Sequence, residues 1–219
     1  RKKDFAQNIG AKVSHVRYPE TVSAGELIAE MENFNRDPAV HGIIVQIPLP
    51  KSLSAAAILN AIDPRKDVDG LSAFNLQTAW QNDPGGFRPA TASGVLILLN
   101  YYDIPTVGRE VVVVGRSALV GKPIALACLN AGATVTICHR GTVDLAKVTK
   151  RADILIVAAG APGLITSNHV RRGQVVVDVG INVVTGAKLL EETNNRKLVG
   201  DVFFNEVAPL VKAISPVPG

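Results

Sequence analysis

Hydrophobic and polar residues alternate between two patterns along the chain, one with the period of a helix and one of short apolar runs. Residues 23–35 predict a helix, because apolar positions recur every three or four residues after a Ser-x-x-Glu capping box. Residues 42–47 are an apolar run closed by proline, which predicts a strand buried on both faces with Gln46 as its polar member. An alanine-rich helix over residues 54–62 and a polar loop over residues 64–70 follow. This alternation indicates the α/β class.

The second half of the chain repeats a strand and helix unit more regularly. It follows an exposed turn at residues 81–86 and a predicted helix over residues 91–102. Four buried strands are predicted, at residues 110–114, 134–138, 153–158 and 174–179. Three helical patterns separate them, at residues 122–130, 145–150 and 169–172. Because right-handed crossovers between parallel strands place helices on both faces, we predict a doubly wound sheet. We place the boundary near residue 105, between domains 1–104 and 105–219.

Composition narrows the class of protein. The 219 residues are 47% hydrophobic and 19% charged with a mean hydropathy of +0.22, which is typical of one or two globular domains and excludes a disordered scaffold. Apolar runs break within about eight residues, far short of the roughly 18 that a membrane span needs. No apolar segment typical of a secretion signal follows the basic N-terminus. We expect a cytoplasmic protein with no membrane partner.

The charged residues and the cysteines bear on two kinds of site. Lys and Arg total 23 against 19 Asp and Glu, but they are scattered, and aromatic residues are only 5%. A nucleic-acid surface concentrates basic residues and interleaves aromatics, so we predict no nucleic-acid partner. The mild positive excess suits an anionic small molecule at least as well. Cys128 and Cys138 lack the spacing of metal ligands, so we expect no metal and predict buried thiols in a reducing compartment.

A turn after the predicted strand at residues 110–114 occupies the position of a dinucleotide fingerprint. Loop amides and the N-terminus of the next helix face a pyrophosphate in such a turn. The turn is a variant, because Ser117 replaces the usual second glycine and Gly121 comes one place late after Gly115. The spacing, and Pro123 in place of a magnesium-binding Ser or Thr, exclude the phosphate loop of NTPases. The turn indicates a Rossmann-like nucleotide domain, the alternative being a tight turn without a ligand.

The end of the second of these strands bears on which nucleotide binds. An NAD site usually places an acid there, whereas an NADP site places a cation on the 2′-phosphate. This strand is followed by His139 and Arg140, with no acid before Asp144. Arg140 and Arg116 together can bind a phosphate, so the sequence favours NADP over NAD. The alternative for Arg140 is a solvated cation in a loop.

Six motifs in one order along the chain carry a resemblance to a known family. They are GIIVQIPLP at 42–50, KDVDG at 66–70, VVGRS at 113–117 with VG at 120–121, DVGIN at 178–182, VGDV at 199–202 and PVPG at 216–219. With these motifs the chain resembles the bifunctional methylenetetrahydrofolate dehydrogenase/methenyltetrahydrofolate cyclohydrolase family. Each motif alone is weak, but six in register extend from one end of the chain to the other.

The resemblance implies an activity, a fold and partners. Family members oxidise 5,10-methylenetetrahydrofolate with a nicotinamide cofactor and hydrolyse the methenyl product to 10-formyltetrahydrofolate, in the one-carbon metabolism that supports purine biosynthesis. The implied fold is an N-terminal α/β catalytic domain and a doubly wound Rossmann-like NADP-binding domain, with a folate cleft between them. The implied partners are tetrahydrofolate derivatives and a second copy of the chain in a homodimer.

The resemblance also implies roles for individual residues. Lys2, Gln46 and Asp69 correspond to the catalytic lysine, the catalytic glutamine and the pterin-binding aspartate. The implied cofactor-binding residues are Gly115, Arg116, Ser117, Gly121, His139, Arg140 and Ile181. The implied substrate-binding residues are Asp69, Pro216, Val217, Pro218 and Gly219. Without the family, Lys2 is interpreted as a solvated terminal cation, Gln46 as a core amide and Asp69 as a turn-capping carboxylate.

These residue types suit the implied chemistry. A lysine desolvated in a cleft can exchange protons with a folate nitrogen or a water. A glutamine can orient both partners without neutralising the charge, because its amide donates and accepts hydrogen bonds. An aspartate can accept two hydrogen bonds from the amino and ring N–H edge of a pterin, which fixes the one-carbon bridge against the nicotinamide.

The chain departs from the family pattern in three places. Residues 89–92 read Pro-Ala-Thr-Ala where the family has Pro-Cys-Thr-Pro, which predicts a looser loop beside the nicotinamide. The tyrosine of the family's Tyr-x-x-x-Lys motif would precede Arg1, and the family continues beyond Gly219 into a helix that returns to the first domain. We therefore expect either a part of a longer protein or a truncated member.

Two other functions stay open at this point. One is a degenerate relative that binds nucleotide or folate without turnover, for which the altered loop and the absent tyrosine argue. The other is a dehydrogenase of another small substrate, such as a hydroxy acid. It is disfavoured because no histidine has an evident catalytic setting.

Overall fold

A parallel β-sheet forms the centre of the second half of the protein. The computed structural model describes residues 5–6, 8–184 and 197–218. The strands are β1 (Glu110–Val114), β2 (Thr134–Cys138), β3 (Ile154–Val157), β4 (Val175–Asp178), β5 (Asn182–Val184), β6 (Lys197–Val199) and β7 (Ala213–Ile214). The helices are α1 (Ala24–Arg36), α2 (Ala55–Asn60), α3 (Ala73–Trp80), α4 (Ala90–Tyr101), α5 (Gly121–Asn130), α6 (Leu145–Thr149) and α7 (Phe204–Val207).

The sheet has the order β2-β1-β3-β4-β7, and neighbouring strands are parallel. Val112 in β1 lies opposite Thr136 in β2 and Leu155 in β3. The chain therefore adds strands first on one side of β1 and then on the other, as in a doubly wound sheet. That prediction is confirmed, and all four expected strands form within one residue of their predicted ends. The strand β7 was not predicted, because two residues are too short to show a period.

Apolar side chains cover both faces of this sheet. Val111 and Val113 pack on the face covered by α4 and α5, whereas Val112 and Val114 pack on the opposite face with Ile165 and residues near α7. Successive side chains of a strand point to opposite faces, so an unbroken apolar run is what a strand buried on both sides requires. The predicted short helix at residues 169–172 is instead a 3₁₀ turn at Ser167–His169.

The regular elements of the first half, within the described residues, are helices joined by long loops. The helix α1 begins with the expected capping box, in which Glu26 Oε2 accepts a hydrogen bond from the Ser23 amide at 2.8 Å and the Glu26 amide donates to Ser23 Oγ at 3.2 Å. The second helix, α2, lies inside its predicted range and is capped by Ser54. A small apolar cluster joins these helices and consists of Met31, Ile43, Leu59 and Ile62.

The strand predicted at residues 42–47 is wrong in its extent and its burial. The segment forms a single parallel bridge, between Ile43 and Asp67. Ile43 is buried, but Ile44 is 46% exposed and Gln46 is exposed. A strand is buried on both faces only when it lies inside a covered sheet, and here one bridge is its pairing among the described residues.

The helix α3 was not predicted. Its buried positions include Asn75 and Thr78, which are polar, so the sequence shows no apolar stripe there. The Ser72 side chain caps its first turn. Across the part of the chain that the structure describes, no helix has the length and apolar character needed to cross a membrane.

Candidate functional site

The turn after β1 brings three backbone segments into close contact. Gly115 has a φ of +129°, and a Cβ there would collide with the carbonyl oxygen of Ala158 in the loop after β3. A Cβ on Gly121, at the start of α5, would collide with the carbonyl oxygen of Gly115. Glycine is therefore required at both positions. Close backbone packing of this kind lets a dinucleotide approach the turn and the helix N-terminus.

Ser117 caps the N-terminus of α5. Its Oγ accepts hydrogen bonds from the amides of Val120 at 3.1 Å and Gly121 at 3.3 Å, and its carbonyl oxygen accepts one from the amide of Lys122. The side chain that replaces the usual second glycine thus satisfies amides that a helix leaves unpaired. The Ser117 hydroxyl serves the helix, and its direct contact with a cofactor stays a prediction.

A tight turn after β2 presents Arg140. The His139 amide donates to Thr142 Oγ1 at 2.8 Å, the Thr142 amide donates to the His139 carbonyl oxygen at 2.8 Å, and the Gly141 amide donates to His139 Nδ1 at 3.0 Å. These bonds hold the His139 ring against the turn and leave Arg140 exposed. Arg116 is also exposed, in the turn after β1. Because β1 and β2 are neighbours in register, both cations lie at one edge of the sheet.

A buried carboxylate lies beneath two loops at the same edge. Asp201 is fully buried, and its Oδ2 accepts hydrogen bonds from the amides of Ala159 at 2.6 Å and Gly160 at 2.8 Å. Its Oδ1 accepts from the amide of Ala161 and from Asn182 Nδ2, both at 2.8 Å. The three amides belong to the loop after β3, and Asn182 follows the loop after β4. One side chain therefore links the two loops.

A second carboxylate, Asp178 at the end of β4, supports the segment that carries Asp201. Its oxygens accept hydrogen bonds from the amides of Gly180, Asp201 and Val202 at 2.9–3.0 Å. Burial raises the pKa of Asp178, the backbone hydrogen bonds oppose this rise, and the Asp201 carboxylate adds to it. A Cβ on Gly180 would collide with Asp201, and one on Gly200 would collide with Asp178. The DVGIN and VGDV motifs thus pack two loops against two carboxylates.

In the first half, buried polar groups hold the loop formed by the KDVDG motif. The buried Asp67 carboxylate accepts hydrogen bonds from the Ser72 amide at 2.7 Å and from Asn75 Nδ2 at 2.9 Å. Burial acts to raise the pKa of Asp67, but the hydrogen bonds from Asn75 and Ser72 outweigh it and lower the pKa below its usual value. Lys66 Nζ donates at 2.7–2.9 Å to carbonyl oxygens at the end of α1, those of Phe34, Asn35 and Asp37.

This loop holds Asp69 beside the start of α4. Gly70 has a φ of +67°, and a Cβ there would lie 2.7 Å from the carbonyl oxygen of Phe87. The Ala90 amide donates to the Asp69 carbonyl oxygen at 3.3 Å. The Asp69 carboxylate is half-buried and accepts no hydrogen bond from the described residues. Unlike Asp67, it is available to a ligand.

Gln46 lies at the surface, so the interpretation of this residue as a core amide is wrong. Its Nε2 donates to the adjacent carbonyl oxygen of Ile47 at 2.9 Å. The parallel bridge between Ile43 and Asp67 places Gln46 and Asp69 on the same side of the bridge, because both follow it in the chain direction. The side chain is free to turn toward a ligand bound near Asp69.

The predicted substrate-binding residues Pro216, Val217 and Pro218 come after β7. The Asp178 amide donates to Ser215 Oγ at 2.9 Å, so this segment leaves the sheet beside the end of β4. Ile181 follows the same strand end and is 75% exposed. The predicted residues Lys2 and Gly219 lie outside the described residues.

The predicted site residues that the structure describes thus fall into two groups. The first consists of the cofactor residues at the sheet edge together with Pro216, Val217 and Pro218, and the second consists of Gln46 and Asp69 in the first half. Sequence reasoning missed three side chains that hold the loops of the first group, namely Asp178, Asn182 and Asp201. The sequence feature that could have identified them is that all three are polar residues in glycine-containing motifs near the end of a strand. Among the described residues, no cluster of three or more His, Cys, Asp or Glu side chains has the geometry to hold a metal ion.

The fold and the site define a two-part α/β protein with a dinucleotide-binding edge. Two family models match the chain: tetrahydrofolate dehydrogenase/cyclohydrolase, catalytic domain, over residues 1–69, and its NAD(P)-binding domain over residues 89–219. The chain belongs to the tetrahydrofolate dehydrogenase/cyclohydrolase family. The resemblance carried by the six motifs is confirmed.

Individual relatives are similar to this protein in sequence or structure over nearly its whole length. Bifunctional protein FolD 1 of Myxococcus xanthus is 46% identical over 215 residues, which are 97% of this chain and 73% of that protein. The crystal structure of the bifunctional enzyme FolD, methylenetetrahydrofolate dehydrogenase/cyclohydrolase, from Campylobacter jejuni has a TM-score of 0.92 at 41% identity, covering 100% of this chain and 74% of that one. The Trypanosoma brucei enzyme, complexed with NADP cofactor and inhibitor, has a TM-score of 0.92 at 34% identity, covering 100% and 73%. The predicted fold class is confirmed.

Proposed function

We propose that this protein oxidises 5,10-methylenetetrahydrofolate to 5,10-methenyltetrahydrofolate with NADP and hydrolyses that product to 10-formyltetrahydrofolate. The pair of backbone contacts at Gly115 and Gly121 carries the proposal, in a chain whose two halves match both domains of the family. A side chain at either glycine would collide with backbone and push the turn away from the loop after β3 or from the start of α5, so glycine at both positions keeps a turn that fits a dinucleotide pyrophosphate. When bound, NADP supplies the hydride acceptor.

The chain's own residues hold the folate and move protons in this proposal. Asp69 binds the amino and ring N–H groups of the pterin, which is supported by its carboxylate being free of hydrogen bonds from the described residues. Lys2 exchanges a proton with a folate nitrogen or a water, and Gln46 orients both through its amide. The folate is further contacted by residues of the C-terminal segment, Pro216, Val217, Pro218 and Gly219.

Different cofactor residues contact different parts of the dinucleotide. Gly115, Gly121 and Ser117 shape the turn that receives the pyrophosphate. Arg116, His139 and Arg140 hold the 2′-phosphate end, supported by the two exposed cations at one edge of the sheet. The exposed Ile181 covers the nicotinamide end, at the loop after β4.

A spectrophotometric assay tests the proposed function. The protein is mixed with 5,10-methylenetetrahydrofolate and either NADP or NAD, beside Lys2→Met and the matched control Lys3→Met. We expect cofactor reduction with NADP that is lost in Lys2→Met and retained in Lys3→Met. A protein whose melting temperature rises with NADP but that reduces no cofactor would instead be a binding relative. Turnover of a hydroxy acid with NADP and none of folate would point to a different dehydrogenase.

The choice of NADP over NAD rests on Arg140 and is tested separately. We expect Arg140→Glu to weaken NADP about 10- to 100-fold and NAD by less than about threefold, because it replaces a charge-assisted phosphate contact with repulsion. Arg109→Glu is the matched control, since Arg109 is also exposed but precedes β1 at the opposite end of the sheet. Isothermal titration with both cofactors measures the difference. Equal losses for NADP and NAD would contradict the 2′-phosphate role.

Three further properties are part of the proposal. A cytoplasmic location is supported by two free, buried cysteines, Cys128 and Cys138, and cell fractionation tests it. A homodimer is expected from the resemblance, and sedimentation equilibrium measures it. A domain boundary near residue 105 predicts that limited proteolysis cuts first in the loop between α4 and β1.

A further inference from the structure

We propose that Asp201 is a positioning residue for hydride transfer, because its buried carboxylate fixes the two loops that border the cofactor's reactive end. The proposal rests on the proposed function for its kinetic part. Asp201 contacts neither cofactor nor folate in this proposal. It acts through the loop after β3, residues 159–161, and through the loop after β4, residues 179–182.

The geometry of one peptide links Asp201 to the dinucleotide turn. The amide of Ala159 and the carbonyl of Ala158 belong to the same planar trans peptide, so they point in opposite directions. The amide donates to Asp201 Oδ2 at 2.6 Å, and the carbonyl oxygen lies where a Gly115 side chain would be. Holding the amide therefore fixes how closely the Ala158 carbonyl approaches the turn after β1.

The other carboxylate oxygen holds the second loop. Asn182 Nδ2 donates to Asp201 Oδ1 at 2.8 Å, and Gly180 lies so close to the carboxylate that a Cβ there would collide with it. Between these two contacts lies Ile181, whose side chain is 75% exposed. The carboxylate thus fixes the position of Ile181 in the loop after β4.

A carboxylate suits this task better than an amide side chain of the same size. Its two oxygens accept only, and here they face four donors, three backbone amides and one side-chain amide. An asparagine would turn an NH₂ group toward two of those amides, so the loops would have to move apart. Asp178 differs, because its acceptors hold the backbone of residues 180, 201 and 202 and none of residues 159–161.

A matched control separates positioning from stability. Gln174 is a fully buried polar residue at the opposite end of the sheet, where its Nε2 donates to the carbonyl oxygens of Thr149 at 2.7 Å and Ala152 at 2.8 Å. It also links loops of adjacent strands, but far from the cofactor edge. Both Asp201→Asn and Gln174→Ala are expected to lower the melting temperature.

The test compares the two activities of the same protein. Hydrolysis of added 5,10-methenyltetrahydrofolate needs no cofactor, whereas oxidation of the methylene compound does. We expect Asp201→Asn to lower kcat for oxidation by at least about tenfold, because small displacements of reacting groups cost large factors in rate. Hydrolysis should change less than about threefold, and Gln174→Ala should leave both kcat values within about twofold. A larger deuterium isotope effect with methylene-deuterated substrate should accompany the loss in Asp201→Asn.

Several outcomes would overturn the proposal. Equal losses of both activities in Asp201→Asn, or an unchanged kcat for oxidation, assign the residue a structural role alone. If Asp201→Asn does not fold, Asn182→Ala removes one of the four donors, and a selective loss of about threefold in oxidation is then expected. If the unmodified protein shows no turnover, the proposed function fails first. The NADP dissociation constant then tests whether Asp201 fixes the dinucleotide turn through the loop after β3. About a tenfold rise in Asp201→Asn would support this role, and no change would reject it.

Discussion

The two halves of the protein are stabilised in different ways. In the second half, β3 is buried along its length, β1 is buried from Val111 to Val114, and apolar layers cover both faces of the sheet. In the first half the apolar cluster is small, and buried polar groups around Asp67 and Asn75 hold the loops. Throughout the described residues every buried side-chain nitrogen and oxygen has a hydrogen-bond partner. Substitutions should therefore act through cavities in the second half and through orphaned polar groups in the first.

The largest expected effect follows from a cavity in the sheet. Leu155 in β3 is fully buried in the apolar layer that also contains Val112 and Ile165, and Leu155→Ala should lower the free energy of unfolding by about 3–5 kcal/mol. Leu59→Ala, in the small cluster of the first half, should cost about 2 kcal/mol because its surroundings are less enclosed and can relax. Urea denaturation measures both. Equal losses would mean that the halves do not differ in packing.

A polar substitution tests the first half. Asn75 is fully buried and makes three hydrogen bonds, donating to Pro64 and Asp67 and accepting from the Phe87 amide at 2.9 Å. Asn75→Ala removes the partner of the Pro64 carbonyl oxygen and of the Phe87 amide and takes away one of the hydrogen bonds that Asp67 accepts, so it should cost about 2–3 kcal/mol, nearly as much as the cavity in the sheet. The matched control Asn33→Ala removes an exposed asparagine of α1 and should cost less than about 0.5 kcal/mol. Similar losses for the two variants would remove the distinction between buried and exposed amides.

The same comparison explains which elements the sequence predicted. In the second half each central strand is an apolar run because the sheet is covered on both sides. Residues 42–47 show the same apolar run, but they pair only at Ile43 within the described residues. An apolar run carries no information about how many partners a strand has, so the same pattern predicted four strands of the sheet correctly and failed at residues 42–47. The helix α3 was missed because its buried face carries Asn75 and Thr78.

The sequence could predict those parts of the site whose residues lie together in one short segment of the chain. Gly115 and Gly121 lie six positions apart in one turn, so their spacing is visible in the sequence, and Gly121 is required by the Gly115 carbonyl oxygen of the same turn. Asp201 meets the amides of residues 159–161 across 40 to 42 positions of the chain. Such a contact depends on where β3, β4 and β6 end in space, which no local pattern reveals. Glycine positions were therefore found from the sequence, and the carboxylate between the loops was not.

The smallest expected effect is a difference in pH dependence between two carboxylates, the buried Asp67 of the first half and the half-buried Asp178 of the second. Hydrogen bonds lower the pKa of Asp67 below its unfolded value of about 3.9, so its contribution to stability is present above that pH and is lost as the pH falls further. Burial, joined by the Asp201 carboxylate, raises the pKa of Asp178. The folded state therefore takes up a proton before the unfolded state does, and this residue's contribution increases as the pH falls toward about 4.

Urea unfolding between pH 3 and 7 separates the two carboxylates. Relative to the unmodified protein, Asp67→Asn should flatten the loss of stability below about pH 4, because the group that must be protonated is absent. Asp178→Asn should instead remove a gain in stability on acidification above about pH 4, so its curve should fall relative to the unmodified protein over that range. Relative to the unmodified protein, the free energy of unfolding should therefore change with pH in opposite directions in the two variants, which a uniform loss of stability cannot produce. Parallel curves for the two variants would show that hydrogen bonding in the first half and burial in the second do not shift these carboxylates in opposite directions.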